Sequence, residues 1–216
     1  MTRVILIRHG QTAWNNVQRI RGQADIPLNE VGLAQAEATA LRVLDQWQPA
    51  AVYCSPLHRA VQTAQPIGCR LGQQVRPESG FVDMNFGQWQ GLSPQEVEQR
   101  WPDSAHAWLE APHTVAFPGG ETLDKVKLRS MAALYEVIER HPGSEIVVVA
   151  HTVVNRVLLC AVLGLDNSNY WRIGQDTCAI NVFVWSAGTF FLESLNDTCH
   201  LGRSNPSSPG KLRDTP

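Results

Sequence analysis

Four side chains suited to holding an anion follow apolar runs in this 216-residue sequence. Arg8 and His9 close RVILIRHG, Arg59 closes AAVYCSPLHR, and His151 follows EIVVVA. Arginine forks match phosphate oxygens in bidentate fashion. Imidazole can attack, donate or accept near neutral pH. A histidine after one strand is by itself often only a structural hydrogen-bonding group. Three strand ends that agree point instead to an anion pocket. The competing chemistry is a metal centre. The seven histidines (9, 58, 106, 113, 141, 151, 200) form no HExxH or HxH pattern, and arginines at the same edge repel a cation. No metal is expected.

The elements that position these groups share one pattern. Each β-branched run reads as a strand covered on both faces, followed by a helix. Asn29 is expected to cap a helix from Glu30 to Asp45, with Leu33, Ala36, Ala40, Leu41 and Leu44 on its buried face. Further helices are expected over Leu57–Leu71, after Ser55-Pro56, over Glu121–His141 and over the largely apolar Thr152–Leu163. INVFVWSAGTFFLESL reads as a hairpin turning at Ser186-Ala187-Gly188. This alternation predicts an α/β fold, a three-layer α/β/α sandwich around a mostly parallel sheet, with the site where strands end at their carboxyl side. Residues 81–120, with Trp89, Trp101, Trp108 and four prolines, break the pattern and are expected to form a lid or substrate wall. A single domain over 1–202 and a mobile tail over 203–216 complete the expectation.

Bulk properties narrow the partners. Net charge is −2, which gives no electrostatic case for nucleic acid or an anionic membrane. No apolar stretch reaches the length of a membrane span, and the N-terminus reads as a strand and not as a signal peptide. Five widely spaced cysteines without a CxxC pair suit free thiols and a cytoplasmic location. The hairpin around Phe183–Phe191 offers an edge for a homodimer.

RHGQTAWN, SPLHRAVQTA and VVVAHTVVNR, with RIRGQADIPLNEVG, FGQWQG and FPGGETL between them, resemble the histidine phosphatase superfamily, also called phosphoglycerate mutase-like, from about Arg3 to about Leu195. The resemblance implies that His9 is the nucleophile and forms a phosphohistidine. It implies that Arg8, Arg59 and His151 hold the phosphoryl oxygens, helped by Asn15, with Gly22 and Thr152 also at the substrate. It implies no cofactor. His151 is expected to work protonated, because phosphate favours its charged form. Family members place a glutamic acid before FGxWEG; here the matching acid is Asp83, one methylene shorter. Glu121 is a fallback acid that by pattern caps a helix. Arg21 is a second departure and is expected to pair with a substrate carboxylate.

Residues 81–120 contain one Lys or Arg, Arg100, against five acids. A second phosphate finds little countercharge there, which favours a phosphatase over a mutase. The expected substrate is a small phosphorylated metabolite, O-phosphoserine first. α-Ribazole 5'-phosphate, phosphoglycerates, a mutase and a non-catalytic phosphate-binding module remain as alternatives.

Overall fold

The computed structural model describes residues 1–16 and 19–202. The tail expected over 203–216 lies outside these residues. The first half of the chain runs β1 (Thr2–Arg8), α1 (Ala13–Asn16), α2 (Glu30–Gln46), β2 (Ala51–Cys54), α3 (His58–Leu71) and β3 (Val75–Pro77). Two helices of the 81–120 segment follow, α4 (Pro94–Arg100) and α5 (Pro102–Glu110). The chain then forms α6 (Leu123–Arg140), β4 (Glu145–Ala150), α7 (Thr152–Val162) and the hairpin β5 (Ile180–Ser186) and β6 (Thr189–Asp197).

Among the described residues the strands form one six-stranded sheet in the order β3-β2-β4-β1-β5-β6. β3, β2, β4 and β1 are parallel, and β5 runs antiparallel to both β1 and β6. Alternation along the central strands divides the core in two. Ile5, Ile7, Val52, Cys54, Val147 and Val149 pack with Ala40, Val43, Ala60, Ala64 and Ile67 of α2 and α3. Val4, Leu6, Tyr53, Ile146 and Val148 pack on the other face with α6, α7 and the 81–120 segment. Both faces of the sheet are therefore covered, as the apolar runs require. The hairpin turns on Ala187 and Gly188, both at positive φ, the geometry that matches the twist of paired strands.

The buried face of α2 differs from the one expected. Gly32, Gln35, Ala36, Thr39, Ala40 and Val43 are buried, whereas Leu33 and Leu41 are 45% and 60% exposed. Small residues carry this contact because the helix presses on the loop after β1. A Cβ on Gly32 would lie 2.1 Å from the Gln11 carbonyl oxygen, and one on Gly10 2.7 Å from the Gly32 carbonyl oxygen. Both obstacles are backbone, so no side-chain movement relieves them. Gly32→Ala is expected to cost about 1–3 kcal/mol, read as a lower urea midpoint with unchanged slope.

The 81–120 segment is a packed wall. Trp89 and Trp108 are fully buried and meet Phe117 edge-on at 4.7 and 5.2 Å between ring centroids. Trp101 stacks on Trp89 from a half-buried position. The three tryptophans thus build the wall that backs the acid loop described below.

Candidate active site

The sheet order explains why the four anion-binding groups meet. β2, β4 and β1 are adjacent, and Arg8 of β1 is the register partner of Ala150 of β4. His9 and His151 follow these paired residues directly. Their rings lie 5.1 Å apart, and the His9 amide donates to the Ala150 carbonyl at 3.0 Å. Arg59 enters from the first turn of α3, after β2. All four side chains are buried, Arg59 and His151 completely.

Hydrogen bonding fixes the tautomer of each ring. His9 Nδ1 is 2.7 Å from the Gly10 carbonyl oxygen, which can only accept, so Nδ1 carries the proton and Nε2 the lone pair. Burial, then Arg59, Arg8 and Arg21, hold the His9 pKa well below 6.5. The ring is a neutral nucleophile aligned by its own backbone. His151 has the reverse arrangement. Its Nδ1 accepts from Arg59 Nε at 3.2 Å, so its proton sits on Nε2. Burial, Arg59 and His9 hold its pKa well below 6.5. The neutral ring is thus favoured in the ligand-free protein, whereas the expected protonated His151 concerns the phosphate-bound site. His151 is a neutral donor, because Arg59 occupies its second nitrogen. His151 Nε2 and Thr152 Oγ1 are buried with no hydrogen-bond partner among the described residues. Two donors held without a partner at a helix N-terminus suit an incoming anion.

Arg59 also organises the far side of the pocket. Its Nη1 donates to the Ala24 carbonyl at 2.7 Å and its Nη2 to the Gly22 carbonyl at 2.7 Å. Gly22 has φ +51°, and a Cβ there would lie 2.5 Å from Gln90 Oε1. Arg59 Nη2 reaches Asp83 Oδ2 at 3.0 Å, and His151 Nδ1 lies 3.6 Å from the same oxygen. Asp83 Oδ1 accepts from the Met84 amide at 2.9 Å. Asp83 is 6% exposed, and burial pushes its pKa above 3.8 against the opposing pull of Arg59 and Arg21. The shorter acid thus reaches the site, where burial favours its protonated form and Arg59 its charged one.

Arg8 donates Nη1 to the Gln175 carbonyl. Gln175 is in turn held by Asn181, a fully buried asparagine at the start of β5 that donates to the Leu6 carbonyl at 3.0 Å. Neither residue was expected at the site, although a lone Asn in the apolar run INVFVW was the signal for it. Asn15 Oδ1 accepts from the Thr12 amide and hydroxyl at 2.8 and 2.9 Å, which leaves its Nδ2 as the group able to serve an anion. Arg21 is half-buried, and its charge acts on His9, Asp83 and His151 together. Glu121 does not cap a helix. Thr122 caps α6, accepting from the Lys125 amide at 3.3 Å, and Glu121 turns to Arg129 and the Asn85 amide. Among the described residues no three His, Cys, Asp or Glu side chains group to hold a metal ion, and no helix is long and apolar enough to cross a membrane. All five cysteines are free.

A neutral imidazole nucleophile, two arginines, two unpaired donors and one carboxylic acid form a site for phosphoryl transfer. A family model for the histidine phosphatase superfamily (branch 1) matches residues 4–198. The chain is 37% identical to phosphoserine phosphatase 1 of Hydrogenobacter thermophilus, over 94% of this chain and 95% of that protein. It is 33% identical to a metal-independent phosphoserine phosphatase of Arabidopsis thaliana, over 93% and 84%. Its fold aligns with that of a phosphoserine phosphatase mutant from Entamoeba histolytica, in complex with phosphoserine, at a TM-score of 0.83 and 28% identity over 93% and 100% of the two chains. The chain is a phosphatase belonging to branch 1 of the histidine phosphatase superfamily.

Proposed function

We propose that the chain hydrolyses O-phosphoserine without a metal, through a phosphohistidine on His9. The observation that carries the mechanism is the His9 Nδ1–H bond to the Gly10 carbonyl, which leaves Nε2 unprotonated and aimed by a fixed ring. In the first step Nε2 attacks phosphorus while the bond to the serine oxygen breaks. Arg8, Arg59, the Nε2–H of His151, Thr152 Oγ1 and Asn15 Nδ2 neutralise and orient the equatorial oxygens. Asp83, whose Oδ1 accepts from the Met84 amide and Oδ2 from Arg59 Nη2, gives its proton to the leaving oxygen. In the second step Asp83, now a carboxylate, takes a proton from water. That water attacks phosphorus and frees phosphate and neutral His9.

Support for phosphoserine comes from the names of two relatives matched over nearly the whole chain and from Arg21. Arg21 supplies positive charge beside the catalytic groups, suited to a substrate carboxylate. The 81–120 wall supplies acids and one exposed arginine, Arg100, so it lacks countercharge for a second phosphate. Hydrolysis is then the expected fate of the phosphoenzyme. The test is phosphate release, with chelator present, from O-phosphoserine, 3-phosphoglycerate, α-ribazole 5'-phosphate and 4-nitrophenyl phosphate. The highest kcat/KM among the three metabolites is expected for O-phosphoserine. A higher value for another metabolite reassigns the substrate, and a requirement for metal overturns the mechanism.

A further inference from the structure

The loop that carries Asp83 has no regular structure of its own, since residues 82–86 belong to no helix or strand. A single side chain outside the pocket collects it. Arg129 of α6 donates Nη1 to the carbonyls of Gly80 and Val82 at 2.9 and 2.7 Å, and Nη2 to the carbonyl of Asp83 at 3.2 Å. Its Nε and Nη2 also bond the two oxygens of Glu121 at 2.8 and 3.0 Å. A guanidinium has five N–H donors, and these five acceptors use all of them. Glu121 completes the hold from the other side of Asp83, accepting from the Asn85 amide at 2.8 Å, while its own amide donates to the Asn85 carbonyl at 2.8 Å. Gln23 adds a bond from Nε2 to the Asp83 carbonyl at 3.1 Å.

We propose that Arg129 and Glu121 are positioning residues that set the reach of Asp83, and so control protonation of the leaving group without touching substrate. The proposal rests on the reading of Asp83 as the general acid. Its physical basis is the short side chain. An aspartate has few rotamers with which to compensate for a displaced backbone, so its carboxyl goes where the loop goes. Residues 80, 82, 83 and 85 are fixed to one ion pair, whose side chains are 23% and 20% exposed. A displacement near 1 Å at a proton donor costs on the order of 100-fold in rate. A lysine at 129 keeps the charge but cannot form the five-bond fork.

The test uses the full chain with Arg129→Lys and Glu121→Gln, each alone and combined with Asp83→Asn. The substrates are 4-nitrophenyl phosphate, whose leaving group needs no proton, and the best alkyl phosphate from the panel above. Arg129→Lys is expected to lower kcat for the alkyl ester by about tenfold or more and for the aryl ester by less than about threefold. In the Asp83→Asn background the same change is expected to add nearly nothing, because two residues acting through one proton are not additive. Equal losses on both esters, or a full further loss in the Asp83→Asn background, overturns the proposal. Equal slowing of both esters by Asp83→Asn alone overturns its premise, the acid assignment, and is seen in that variant without reference to Arg129. Should Arg129→Lys fail to fold, as read by its thermal melt, Glu121→Gln carries the test. It keeps the side-chain shape and one acceptor oxygen, the same selective loss is expected, and absence of that loss overturns the proposal.

Discussion

His9→Ala is expected to remove turnover of every phosphate ester, by roughly four orders of magnitude or more, in a protein that still folds and still binds phosphate. The size of the effect follows from covalency: no other group among the described residues combines a fixed tautomer, a free lone pair and a place between the two arginines. Retained phosphate binding follows from the partners that remain. Arg8, Arg59, His151 and Thr152 are expected to hold the anion whether or not the His9 ring is there. The measurement is phosphate release beside a phosphate titration, with quenched-flow trapping of labelled enzyme. Labelled wild-type enzyme and unlabelled His9→Ala, with phosphate affinity changed by less than about tenfold, are the expected results. Labelling of the variant would place the nucleophile elsewhere.

Asp83→Asn is expected to slow hydrolysis of O-phosphoserine by about 100- to 10,000-fold and of 4-nitrophenyl phosphate by less than about tenfold. The substitution has a side effect that the ratio cancels. Asp83 accepts from both the Met84 amide and Arg59 Nη2. An asparagine has one oxygen for these two donors, so its NH2 must face one of them. That cost falls on both esters alike. The pH dependence separates the groups further. Burial raises the Asp83 pKa above 3.8, so the acid keeps its proton to higher pH and loses it on the alkaline side of the profile. Burial and the three arginines lower the His9 pKa, so protonation of the nucleophile sets the acid side, below 6.5. Asp83→Asn should therefore erase the alkaline limb for the alkyl ester and leave the acid limb in place. Persistence of the alkaline limb would assign the proton to another group.

Much of this site was readable from strand chemistry. β-Branched runs that stop at Arg-His, Ser-Pro and His-Thr can hardly do otherwise than place those residues at a sheet edge, and the sheet order brings the edges together. Asn29 capped its helix as its type dictates. Asp83 was visible only through the family resemblance, because nothing in FVDMNFG marks an acid held by a remote arginine. The errors share a cause, which is that close approach and shared hydrogen bonds leave no hydropathy signal. The α2 face was misplaced toward Leu33 and Leu41 because Gly32, Gln35 and Thr39 make the contact. Glu121 was read as a cap because its partners, Arg129 and the Asn85 amide, are brought to it only by folding. The hydrogen bond from Arg59 to the His151 ring joins residues 92 apart in the chain, a relation no spacing rule contains.

The two histidines and the acid are anchored in materials of different toughness. His9 and His151 are tied to the β1/β4 ladder at the centre of the sheet, so they part only when the whole molecule opens. Asp83 hangs on a loop gathered by one partly exposed ion pair. The enzyme therefore has two grades of failure. Loss of that ion pair is expected to cost the acid while the nucleophile stands intact, leaving a protein that forms a phosphohistidine from reactive esters and has lost its competence toward stable ones.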